Sequence, residues 1–131
     1  MTAELTSLFA FCATLLAIIL AQAMVLAKTN GMAYVMGNRD TSPTAQSALG
    51  GRLARVLGNS IEAAVIFAPF VLIAAQLGIS NSMTQWSAVI FIIARIAYAV
   101  IYAAGINGLR TLVWNVGFIC LVIFGLGILF G

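Results

Sequence analysis

The chain has no histidine, two cysteines, two prolines, and only 7 % charged side chains in its 131 residues. Each shortage excludes something. With no histidine, and with Cys12 and Cys120 as lone thiols inside apolar runs, no metal site and no disulfide is expected. A soluble domain carries about 25 % charged residues. Six Lys/Arg against three Asp/Glu leave a formal charge of +3, but these cations lie scattered through apolar sequence and form no patch for nucleic acid. What is abundant is apolar: 63 % of the residues are hydrophobic. A domain this small leaves much of its surface exposed, so its solvent must be lipid.

A spanning helix takes about 20 residues, so four spans with short connections use most of the chain. The expected fold is an all-α integral membrane four-helix bundle forming one domain, residues 1–131. The spans are placed at about residues 5–27, 52–77, 85–104 and 109–131. In the first, Ala21-Gln22-Ala23 mimics a signal-peptide cleavage site. However, the preceding residues hold Glu4 and no cation, and the apolar run continues past the supposed cut, so a retained span is expected. Ala10, Ala13, Ala17 and Ala21 share one face of it, a small-residue stripe of the kind that lets membrane helices approach closely.

Residues 28–51 are the only long polar stretch, with breaker signals at Asn30-Gly31, Gly37-Asn38-Arg39-Asp40 and Ser42-Pro43, and are expected to form a loop. The second span holds Pro69, where a missing backbone donor eases or kinks a helix. Residues 78–84 and 105–108 read as turns. Lys28, Arg39, Arg52 and Arg55 lie in or beside the first connection and Arg110 flanks the third. The positive-inside rule then makes both connections cytoplasmic and leaves both termini outside. A bacterial inner membrane is the expected location.

An ionisable residue within a span costs about 2.5–3.5 kcal/mol on insertion scales, so each needs a partner or a purpose. Arg52, Arg55, Asn59 and Glu62 follow at +3, +4 and +3 on one face of the second span; Arg95, Tyr98 and Tyr102 follow at +3 and +4 on the third. At ~1.5 Å per residue, Glu62 and Arg95 both lie about 15 Å deep, which predicts an ion pair within or between subunits. A register-fixing polar pair is the plainer reading of those two residues alone. It does not explain four arginines facing one glutamate, a surplus that suits an anionic guest.

The run Arg52-Leu-Ala-Arg55-Val-Leu-Gly-Asn59-Ser-Ile-Glu62, followed by Phe67-Ala68-Pro69-Phe70, resembles the second-helix signature of the MAPEG family, the membrane-associated proteins of eicosanoid and glutathione metabolism. Ala94-Arg95-Ile-Ala-Tyr98-Ala-Val-Ile-Tyr102 through Leu109-Arg110-Thr-Leu-Val-Trp114 is similar to the family's third and fourth helices. The resemblance implies a homotrimer binding glutathione at each subunit interface near the cytoplasmic face. Arg52, Arg55, Asn59 and Glu62 would hold the tripeptide; Arg95, Tyr98 and Tyr102 would meet it from the neighbouring subunit. Arg110, with Tyr102 beside it, would stabilise the thiolate. Arg110 stands one residue further from Tyr102 than the family pattern has it, and Gly58 and Ala104 occupy positions where some members carry basic residues.

The chemistry is compatible. Glutathione carries two carboxylates and one ammonium, and guanidinium forks bind carboxylates bidentately. A free thiol titrates near 8.5. An arginine about 4 Å from the sulfur contributes roughly 4 kcal/mol at an effective dielectric of about 20, before desolvation opposes it. The expected function is therefore a glutathione-dependent transferase or peroxidase acting on lipophilic electrophiles from the bilayer. A catalytically inactive scaffold or ligand-binding protein of the same fold is the alternative. A small multidrug-type transporter fits less well, because it wants an acidic residue inside the first span, and Glu4 lies at its edge.

Overall fold

The computed structural model describes residues 1–40 and 47–131; the Ser42-Pro43 signal lies outside the described residues. The described residues form five helices and no strand: α1 (Ala3–Asn30), α2 (Met32–Met36), α3 (Ala48–Leu77), α4 (Ser82–Ala103) and α5 (Leu109–Leu129). All but α2 are long and apolar enough to cross a membrane. Large apolar side chains such as Leu16, Val65, Ile93 and Leu112 stand on the outside of the bundle, as lipid-facing residues would.

The polar stretch is less of a loop than its composition predicts. Helix α1 runs on to Asn30, α2 adds a further turn, and α3 begins at Ala48, where the Ser47 hydroxyl accepts the Gly50 N–H at 3.0 Å. The second turn is shorter than expected too. Asn81 caps α4, its side chain accepting from the Thr84 amide while the Thr84 hydroxyl accepts from the Asn81 amide, so residues 82–84 are helical. Helix α3 continues without a break through Pro69. Of the small-residue stripe, Ala10 packs against the core, whereas Ala13 and Ala17 are exposed.

The centre of the bundle is aromatic, with one phenylalanine from each spanning helix. Phe11, Phe67, Phe91 and Phe124 are all at most 1 % exposed. Phe67 lies 4.3 Å from Phe91 and meets Phe11 and Phe124 edge-on at 5.9 Å, while Phe11 meets Phe91 edge-on at 5.3 Å. Edge-to-face pairs at these spacings are favourable beyond the area they bury. Helices α4 and α5 approach closely at Gly127, where a Cβ would come within 2.9 Å of Thr84 Cγ2.

The two ends of the bundle differ. One carries the first connection and the α4–α5 turn, tied together by Arg52, whose Nε donates to the Ala103 carbonyl at 3.0 Å. At the other end Glu4 is 2 % exposed. Its carboxylate accepts from the Thr84 hydroxyl at 2.6 Å and the Ser80 hydroxyl at 3.0 Å, fastening the start of α1 to the start of α4.

Candidate functional site

The α3 stripe and the α4 stripe meet at the loop end of the bundle within one protomer. Arg55 Nε donates to the Tyr102 hydroxyl at 2.8 Å, and the Tyr98 and Tyr102 rings lie 5.6 Å apart. Arg110, from the first turn of α5, places its guanidinium 4.7 Å from the centroid of Tyr102. Arg95 does the same over Tyr98 at 4.6 Å. Cation–π geometry of this kind holds guanidinium groups in place without neutralising them.

These side chains border three adjoining spaces. An open cleft of about 400 Å³ lies among Arg52, Arg55, Arg110, Asn107 and Ser47, with no carboxylate among the described residues that line it. Next to it, about 260 Å³ is bounded by Asn59, Tyr98, Tyr102, Arg110, Thr111 and Trp114. Deeper, about 180 Å³ is bounded by Asn59, Glu62, Arg95, Trp114 and Phe118 among others. Every residue singled out in the sequence thus lines one of these spaces. Arg52 does so with its Nε already committed to capping α4.

The expected pairing of Glu62 with Arg95 is corrected within the protomer. Arg95 is 3 % exposed and donates from Nη2 to the Ser60 hydroxyl at 3.0 Å, whereas Glu62 is exposed. Among the described residues no ion pair joins the two. Equal depth does not set direction: two residues along α3 turn a side chain through about 200°, so Ser60 faces the bundle interior where Glu62 does not. The missed partner had a sequence signal. Ser60 falls in register with the buried positions Val56, Phe67, Val71 and Ala74, as the one hydroxyl on an otherwise apolar core stripe.

Among the described residues, two buried polar atoms in the deeper space find no hydrogen-bond partner, Asn59 Oδ1 and Arg95 Nε. A buried unpaired donor and acceptor are costly unless something else pairs them, and here both border an open space. Trp114 forms a wall shared by the two inner spaces and stacks on Phe118 at 5.6 Å and 11°.

No curated protein and no solved structure matches the chain. The arginine–asparagine–glutamate run and the arginine–tyrosine–tyrosine run it faces stand in one continuous match to a family model, which takes in residues 4–130. The chain belongs to the MAPEG family, and is a membrane protein of that glutathione and eicosanoid group.

Proposed function

We propose that the protein is an integral-membrane, glutathione-dependent transferase or peroxidase that joins or exposes a glutathione thiolate to lipophilic electrophiles, and that it works as a homotrimer. The observation that carries this reading is the cleft among Arg52, Arg55 and Arg110, with three guanidiniums and no carboxylate among the described residues that line it. Such a cleft favours an anionic, peptide-sized guest over a cationic drug.

In this reading Arg55 and Arg52 take the carboxylates of the tripeptide. The unpaired Asn59 oxygen supports contact with its amide donors, and Glu62, exposed on the same face of α3, serves its ammonium. Tyr98 forms the floor beneath the ligand. Arg95, paired with Ser60, keeps Nε as a donor toward the deeper space. The protein supplies positive charge and orientation; the nucleophile is the sulfur of the bound peptide. Arg110 holds that sulfur as thiolate, and Tyr102 sets the position of Arg110 from below. Lipid-facing walls at Trp114 and Phe118 suit an apolar second substrate entering from the bilayer.

Ultraviolet difference absorbance on adding glutathione to the detergent-solubilised protein tests this. A saturable thiolate signal at neutral pH is expected, with loss of that signal in Arg110→Ala. Absence of the signal together with absence of binding by calorimetry would overturn the reading in favour of a scaffold with the family fold.

A further inference from the structure

A separate cavity of about 340 Å³ opens between the loop-side half of α1, the residues after α2 and the start of α3. Among the described residues it shares only Ser47 with the three-arginine cleft. Its polar groups are arranged by depth. At the rim stands Arg39, held in the left-handed region at φ 54. Its side chain curls back so that Nε and Nη2 both donate to the Val35 carbonyl, at 3.3 and 3.1 Å. A non-glycine residue in that conformation is strained, and strain of this kind concentrates where a side chain is held for use. The result is a fixed cation at the level of the lipid headgroups, in no ion pair with the described carboxylates.

Gln22 lies about 12 Å below Asn30 along α1. It is half-buried, lines the cavity, and makes no hydrogen bond to the described residues. An amide left unpaired at that depth is expensive, since lipid chains offer it nothing. Along the wall Leu26 stands one turn nearer the rim, Ala23 beside it and Ile19 below it. From the rim inward the cavity therefore presents a cation beside the polar Thr29, Asn30 and Ser47, then an apolar wall with one hydrogen-bonding amide, Gln22, set in it.

We propose that this cavity binds one anionic phospholipid per protomer, with the phosphate at Arg39, an ester carbonyl at the Gln22 amide and an acyl chain along Ile19. Such a lipid carries all three kinds of group that the wall offers to bind: an anionic phosphate, ester acceptors and apolar chains. A free fatty acid has one anionic head and no second acceptor for Gln22. A choline phospholipid brings a quaternary ammonium against the fixed guanidinium. The proposal does not rest on glutathione binding.

The test uses the full chain in nanodiscs of equimolar phosphatidylglycerol and phosphatidylcholine, extracted into mild detergent, with retained lipids counted by native mass spectrometry. One phosphatidylglycerol per protomer is expected, favoured over phosphatidylcholine by about tenfold or more. Gln22→Leu and Arg39→Gln should each lower its retention about fivefold or more. Lys28→Gln, which alters an exposed cation outside the cavity lining, should leave retention unchanged. Circular dichroism and thermal midpoints establish that each variant is folded, independently of any activity. Equal retention of the two lipids, unchanged retention in Gln22→Leu, or displacement by an equal concentration of dodecanoate would each overturn the proposal.

Discussion

Arg55 donates to the hydroxyl of Tyr102 at 2.8 Å while Arg110 lies over the ring of the same residue at 4.7 Å. One phenol thus sets the positions of two cations that the chain supplies from different helices. The two roles separate by substitution. Tyr102→Phe keeps the ring under Arg110 but frees Arg55, which should raise the KM for glutathione by about five- to tenfold, or roughly 1–1.4 kcal/mol, with kcat nearly unchanged. Tyr102→Ala removes the platform as well and should lower kcat. Steady-state kinetics on the two variants distinguishes the roles; equal effects on both parameters would refute the division.

In the proposed reading Arg110 bears on the sulfur through charge, so its effect has a definite sign with pH. A guanidinium beside the bound thiol lowers the thiol's pKa below about 8.5. The active thiolate therefore accumulates at lower pH, and the rate rises with pH and levels off early. Arg110→Ala should move that limb upward by about one unit or more, with at least about tenfold loss at neutral pH and partial recovery in alkali. Glutathione affinity and assembly should change little. A pH–rate profile that keeps its midpoint in the variant would remove Arg110 from the chemistry.

Matching depths along α3 and α4 argue from sequence that removing Glu62 strands Arg95 and damages the fold. The geometry transfers that role to Ser60, which accepts from Arg95 at 3.0 Å in the buried interior. Ser60→Ala should lower stability by about 1 kcal/mol or more, because a guanidinium that is 3 % exposed loses a partner. Glu62→Ala should unfold at the wild-type temperature and show weaker glutathione binding instead. Thermal unfolding in detergent, run beside calorimetry, checks both halves.

The Ser60 case shows which features the sequence makes legible. Periodicity places Arg55, Asn59 and Glu62 on one face and Tyr98 and Tyr102 on another, because a helix repeats every 3.6 residues whatever surrounds it. The four spans are equally legible, since lipid demands long apolar runs. Periodicity does not report the rotation of one helix about its axis relative to the next, and that rotation decides whether Arg95 reaches Ser60 or Glu62. Helix ends were obscured for another reason. Lys28, Thr29 and Asn30 look like loop by composition, yet they continue α1 because water at a membrane surface solvates polar side chains on a helix as readily as on a loop. In the turn that leads to Arg110, Gly105 and Gly108 both take positive φ, a backbone path that no periodicity reports.

Glu4 is the acidic group that simple position along the chain undervalues. It lies in the first turn of α1, but it is buried and accepts from Ser80 and Thr84, hydroxyls that themselves accept from the Gln85 side chain and the Asn81 amide. Every donor in this network has a set direction. Glu4→Gln presents an amide N–H₂ where an acceptor is needed and should destabilise by about 1–3 kcal/mol, with Glu4→Ala at least as severe. Both variants should keep the KM for glutathione of whatever fraction remains folded, because the network lies at the opposite end of the bundle from Arg55 and Arg110. A change in KM with no change in thermal midpoint would contradict this assignment.

Gly127 tests the packing that holds that end together. A Cβ there would stand 2.9 Å from Thr84 Cγ2, 3.0 Å from Met83 Cβ and 3.2 Å from the Thr84 backbone nitrogen. Two of these neighbours cannot swing aside, since one is backbone and the other is a Cβ. The Gly127 carbonyl also accepts from the Asn81 side chain at 2.9 Å, so α5 cannot retreat without breaking that bond and loosening the cap of α4. Gly127→Ala should therefore lower stability by about 1–3 kcal/mol through overpacking, and Gly127→Val by more. Gly58 offers the matched control, because a Cβ at that position of α3 meets nothing within 4 Å. Gly58→Ala should be neutral or stabilising by up to about 1 kcal/mol, from better helix propensity alone. Thermal unfolding of the two alanine variants side by side decides the matter: equal midpoints would mean that α4 and α5 are free to separate, and that their close approach does not fix the end of the bundle.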